Sequence, residues 1–142
     1  MVEFERSTVD LSLIPSANGA DSVVRSWYGP ADYAPPMSNV TVVATFTIIE
    51  GREEDALEAL RPVIEQTHDE AGCLSYALHR DKNDPKVLVL VERWTSQIAL
   101  DNHFLQPYVA GLGSAAAELL SEPPTVRFCA PIPVGDPIKG VL

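Results

Sequence analysis

KVLVLVERW, residues 86–94, is the stretch on which the fold turns. Successive side chains of a strand point to opposite faces, so a strand with one wet face alternates apolar and polar residues. Here Val87, Val89 and Val91 fill one face, while Leu88 and Leu90 fill the other. Both faces of this strand therefore need cover, and the rest of the chain must supply it.

Immediately upstream, CLSYALHRD (residues 73–81) reads as a second strand. The turn DKNDP joins the two into a hairpin, because Asn and Asp tolerate turn geometry and Pro85 bars a straight continuation. Earlier still, VTVVATFTII (residues 40–49) sets Val40, Val42, Ala44, Phe46 and Ile48 against a face rich in threonine, a strand pattern that Gly51 ends. Between these strands, Ala56, Leu57, Leu60, Val63, Ile64 and Thr67 recur at helical spacing. Pro62 predicts a kink or an early break in that helix, and Gly72 is read as its terminator. Downstream, Thr95 or Ser96 caps a helix running to about Gln106. Pro107 suits the start of another, whose Leu112, Ala116, Leu119 and Leu120 form one stripe. PPTVRFCAPI (residues 123–132) predicts a last strand, and the tail PVGDPIKGVL an extended segment.

The order strand, helix, strand, strand, helix pair, strand is that of an α+β, ferredoxin-like split βαβ fold with an antiparallel sheet. Its helices cover one face of the sheet. Leaving Leu88, Leu90 and Val43 wet on the other would forfeit roughly 1.5–3 kcal/mol for each large side chain. A few such losses rival the roughly 5–15 kcal/mol of net stability of a whole domain. The economical cover is a second copy packed sheet against sheet, a homodimer.

Composition bounds the rest. The chain of 142 residues suffices for one domain with a core. Residues 1–37, broken at their end by Gly29, Pro30, Pro35 and Pro36, read as an N-terminal arm or tail, and 38–142 as the domain proper. Trp27, Tyr28 and Tyr33 favour an arm that packs on the domain or on a partner subunit. A formal net charge of −10 repels phosphate backbones and anionic lipid, which argues against nucleic-acid and membrane roles. Between Glu50 and Glu70, eight acids oppose Arg52 and Arg61; this reads as a solvated helix face, with Glu53, Glu54 and Asp55 near the positive end of the helix dipole. No apolar run is long enough to span a bilayer, and MVEFERSTVD lacks the layout of a secretory signal, so a cytoplasmic location is expected. Cys73 and Cys129 form no CxxC pair and read as small buried apolar residues.

The segment from Gly51 to His103 resembles the antibiotic-biosynthesis-monooxygenase (YgiN-like quinol monooxygenase) family. The resemblance is carried by the Glu70-Ala71-Gly72-Cys73 turn, the Asp84-Pro85 hairpin and the ERWTSQIAL run ending at His103, and it extends over about residues 40–130. It implies a ferredoxin-like fold dimerising as an α+β barrel. It also implies a monooxygenase of quinols, anthrones or related phenolics that works without metal, flavin or haem, on a small aromatic substrate and dioxygen. The family holds isomerases and haem degraders too. Haem-degrading relatives carry an asparagine where this chain has Ala44 and a tryptophan where it has His103, two departures that argue against that activity. A non-catalytic dimeric module that binds a small ligand, or a same-fold isomerase, stands as the alternative.

Cofactor-free oxidation asks the protein for a base, a shaped apolar pocket and a few donors. His103 follows Ala99 and Leu100 by four and three residues, so it should face inward and take a phenolic proton near neutral pH, or else be a core histidine. Trp94 and Tyr76 join it as catalytic candidates, a wall and a hydroxyl of the pocket, with plain packing as the competing role. Phe46, His68, Leu78 and Leu100 complete the set as substrate-binding residues, although His68 also stands where a histidine serves a helix dipole. Arg93 and Glu92 read as a cross-strand pair. His68, His79 and His103 lack metal-ligand spacing, so no metal is expected.

Overall fold

The computed structural model describes residues 39–132 and 134–142, which leaves the expected arm, residues 1–37, outside the described residues. Strand β1 spans Val40–Thr47, helix α1 Glu53–His68, strand β2 Cys73–Arg80, strand β3 Val87–Trp94, helix α2 Gln97–Phe104, helix α3 Pro107–Ala110, helix α4 Leu112–Leu119 and strand β4 Thr125–Cys129. The four strands form one antiparallel sheet in the order β2-β3-β1-β4. This is the expected ferredoxin-like topology. No helix among the described residues is long and apolar enough to cross a membrane.

Register decides which face is covered. Ala44 lies opposite Leu90 and Phe46 opposite Leu88, whereas Val43 lies opposite Val91 and Thr45 opposite Val89. Leu88 and Leu90 are therefore on the helix side, 1% and 2% exposed. The expectation that they belong with Val43 on the open side is wrong. The middle of that side is Val43, Val87, Val89 and Val91 with Thr41 and Thr45, all half-buried, and Ala77, His79, Arg93 and Arg127 share the face with them. A strand's period of two means that only the pairing register assigns each set to a face.

Helix α1 lays Ala56, Leu60, Val63 and Thr67 into the core, one residue per turn. Pro62 does not break it, because its ring is on the exposed side, where water can satisfy the carbonyl one turn earlier. Gly72 has another duty than the one expected. The helix is capped at Asp69, and a Cβ on Gly72 would come within 2.3 Å of the Cβ of Ala99. Bare backbone there lets the loop before β2 press against α2. The Ser96 hydroxyl caps α2 by accepting the Ala99 N–H at 3.1 Å. At the other end of the sheet, Ile49 N–H donates to Leu119 O and Ser121 N–H to Thr47 O, which ties α4 to the end of β1.

The tail is not extended throughout. Asp136 Oδ1 accepts the N–H groups of Ile138 and Lys139, and Gly140 N–H returns to Asp136 O, closing a turn entered through Gly135 at φ +81°. Cys129, expected to be buried, is exposed on edge strand β4.

Candidate functional site

On the helix side of β3, Leu88, Leu90, Glu92 and Trp94 follow one another beneath the helices. Trp94 is fully buried. Helix α2 starts three residues after it and brings Leu100 and His103 down onto the same region; His103 is only 1% exposed. The His103 ring lies 4.6 Å from that of Trp94, centroid to centroid, at an interplanar angle of 41°. Tyr76, opposite Glu92 in the β2–β3 register, brings its ring to 5.4 Å from His103. Phe104 closes the other side at 5.6 Å and meets Phe128 edge-on at 6.2 Å. The imidazole is thus boxed by aromatic rings.

Two carboxyl groups reach into this box. Glu70 Oε1 is 2.7 Å from His103 Nδ1 and also accepts the Tyr108 hydroxyl. The contact follows from the backbone: Gly72 abuts Ala99, one helical turn before His103, so the loop residue two places before Gly72 reaches the imidazole. With Glu70 as acceptor, Nδ1 carries the proton and the Nε2 lone pair is left to act as a base. Burial lowers the His103 pKa below its ordinary value, while the Glu70 bond and charge oppose that shift. Burial wins, and the ring is neutral at neutral pH. Tyr108 is pushed up by burial and by the neighbouring Glu70.

Glu92 is the second acid. It is 5% exposed, and its Oε2 accepts the indole N–H of Trp94 at 2.9 Å. Burial raises its pKa to about 7, against the lowering effect of the indole bond, with Glu70 adding to the rise. Tyr76 is driven strongly upward by burial first and Glu92 second, so its hydroxyl keeps its proton. Cys73 is likewise pushed up to about 11 by burial, which makes it a poor nucleophile.

The candidates from sequence separate into three groups. His103, Trp94, Tyr76 and Leu100 come together in the aromatic box. Phe46 and Leu78 lie between that cluster and a second apolar cluster, packing against both, as does Ile64. Phe46 also lines an apolar cleft of about 50 Å³ between α1 and α4, with Ile48, Leu60, Leu112, Ala115 and Leu119 among its walls. His103 is not among those walls. His68 turns elsewhere: its Nε2 bonds the backbone oxygen of Tyr76 at 2.9 Å, tying the end of α1 to β2. Arg93 and Glu92 do not pair, since adjacent strand residues face opposite ways and Glu92 is engaged with Trp94. Among the described residues, no three His, Cys, Asp or Glu side chains are placed to hold a metal ion.

The sequence reading offers neither Glu70 nor Tyr108 as a site residue. The acidic run from Glu50 reads Glu70 as part of a solvated helix face, yet it lies past the helix end, in the turn whose glycine makes the close approach to Ala99. Tyr108 follows Pro107, whose fixed φ opens α3 directly after the helix that carries His103.

The family model of the antibiotic biosynthesis monooxygenases matches residues 39–111, from the start of β1 to just past α3. A Mycobacterium tuberculosis protein named "Putative monooxygenase Rv0793" is 37% identical over 99 residues, which cover 67% of this chain and 93% of that protein. The solved structure of Rv0793 superposes with a TM-score of 0.65 at 33% identity, covering 70% of this chain and all of the other. The Synechocystis protein sll1783 is 25% identical over 89 residues, and the matched stretch spans 60% of its length. The matched region contains the whole His103–Glu70–Tyr108 constellation and both Trp94 and Glu92, and the chain belongs to the antibiotic biosynthesis monooxygenase family.

Proposed function

We propose that the protein is a cofactor-independent monooxygenase that oxidises a small quinol, anthrone or related phenolic with dioxygen. The observation that carries this reading is the His103–Glu70 pair: a neutral imidazole, held through Nδ1 and packed among the rings of Trp94, Tyr76 and Phe104, with Nε2 left as the basic nitrogen. Nε2 takes the phenolic proton, and the Glu70 carboxylate stabilises the imidazolium that results. The electron-rich phenolate then reduces dioxygen directly. One oxygen atom enters the substrate and the other leaves as water, with all four electrons supplied by the substrate: an anthrone methylene becomes a carbonyl, or a hydroquinone becomes a hydroxyquinone. Tyr76, Phe46, Leu78 and Leu100 shape the space, while Trp94 stacks on the base. Because His103 is buried, substrate entering at the cleft reaches it only as Phe46, Leu78 and Ile64 move aside. A homodimer closed over the valine face of the sheet belongs to the same reading.

The test is dioxygen consumption by metal-stripped protein with anthrone as substrate, run under isotopically labelled dioxygen. One labelled atom in the product is expected, and His103→Ala should lower kcat/KM by about a hundredfold or more. Turnover that persists under nitrogen would instead indicate an isomerase. The wholly hydrocarbon lining of the cleft favours one other reading, a binding module for a small apolar molecule. Its signature is a ligand that raises the melting temperature and is recovered unchanged.

A further inference from the structure

The helix side of β3 reads Leu88, Leu90, Glu92, Trp94, and the acid is the break in an otherwise apolar row. An aliphatic side chain there would pack under the helices at no electrostatic cost, whereas a buried carboxyl is expensive unless it is well partnered. Among the described residues its hydrogen bond is the one from the Trp94 indole, two residues along the same strand and on the same face. Among the described residues the groups near it are acids and hydroxyls rather than cations: Tyr76 across the β2–β3 register, Glu70, whose charge acts on it, and Cys73, on which its own charge acts. Among the described residues, no ion pair explains its presence. The same indole ring lies beside that of His103, tilted by 41°.

We propose that Glu92 is a positioning residue for the base. Its carboxyl anchors the Trp94 indole, and the indole in turn holds the His103 ring with Nδ1 on Glu70 and Nε2 toward substrate. The role rests on the reading of His103 as the base. A displacement of about 1 Å at a reacting group can cost a hundredfold in rate, so an anchor removed from the chemistry by one side chain is worth keeping even at a loss of stability.

The experiment compares Glu92→Gln, which keeps an oxygen to accept the indole N–H, with Glu92→Leu, which removes it, in the full chain. Imidazole nitrogen NMR reads the His103 tautomer, and the Trp94 indole N–H resonance reads the anchor. Glu92→Gln is expected to keep both signals and at least a third of the wild-type kcat on anthrone. Glu92→Leu should move both signals and lower kcat about tenfold or more with KM within twofold. Should Glu92→Leu not fold, Trp94→Phe keeps a ring and deletes the donor, and should move the His103 signals the same way. An unchanged His103 spectrum in Glu92→Leu or Trp94→Phe overturns the proposal. So does equal damage from Gln and Leu, which would assign the work to the acid proton itself. If wild-type protein never turns over anthrone, the monooxygenase reading falls while the NMR comparison still decides whether Glu92 orients His103.

Discussion

His103 acts as a base only in its neutral form, and burial keeps it neutral to lower pH than an exposed histidine. The acid limb of the kcat/KM profile is therefore expected below pH 6.5, the ordinary value. Glu70→Gln leaves an acceptor for Nδ1–H but removes the charge that favours the imidazolium. It should move that limb lower still and slow turnover by about tenfold or more, as read from the pH dependence of initial rates. Glu92 titrates with the opposite consequence for stability. Its folded pKa is raised from 4.5 to about 7, so the folded state holds a proton that the unfolded state has already lost. The stability that this proton represents is complete below pH 4.5 and lost as pH rises through about 7, a swing of about 3 kcal/mol. Glu92→Gln cannot lose a proton. Its stability relative to wild type should rise between pH 4.5 and pH 8 in urea titrations, and a flat difference would show that the carboxyl is not desolvated as described.

Among the elements, the contact of Gly72 with α2 is the tightest constraint on the site. A methyl group at Gly72 would collide with Ala99 at 2.3 Å, and relief requires α2 to move away from the loop that carries Glu70. Gly72→Ala is expected to destabilise the protein by about 1–3 kcal/mol and to weaken the His103–Glu70 bond, lowering both Tm and turnover. Adding Ala99→Gly should restore most of both, because the clash is between those two Cβ atoms. The capping serine of α2, the proline start of α3 and the inward stripe of α1 were all legible from spacing, since each depends on neighbours in sequence. Glu70 was not legible as a site residue, because its role arises from a contact across 33 positions. The continuous run of α1 through Pro62 also needed the tertiary fold, which keeps that ring on the wet side of the helix.

For the molecule as a whole, the open question of cover has moved to a smaller patch. Half-buried valines and threonines, not leucines, form the middle of the side of the sheet away from the helices, and His79, Arg93 and Arg127 share that face. Pairing of two such faces is the expected cover, with the wild-type chain sedimenting as a dimer. Val89, near the middle of β3 on that side, makes no part of either buried cluster. Val89→Asp should therefore sediment as a folded monomer; a mutant that stays dimeric would place the interface elsewhere.

From residue order alone came the four strands and the helices between them, the inward placement of His103, and the company of Trp94, Tyr76 and Leu100; the single helix expected from Pro107 is instead two, α3 and α4, parted at Gly111. Helical and strand periodicities report which side of its own element a residue occupies, and that is a local property of the backbone. Which sheet face the helices cover, which acid meets the imidazole and why Glu92 is buried were decided by tertiary structure. Each depends on strand register or on the approach of two distant segments, and no local periodicity encodes either.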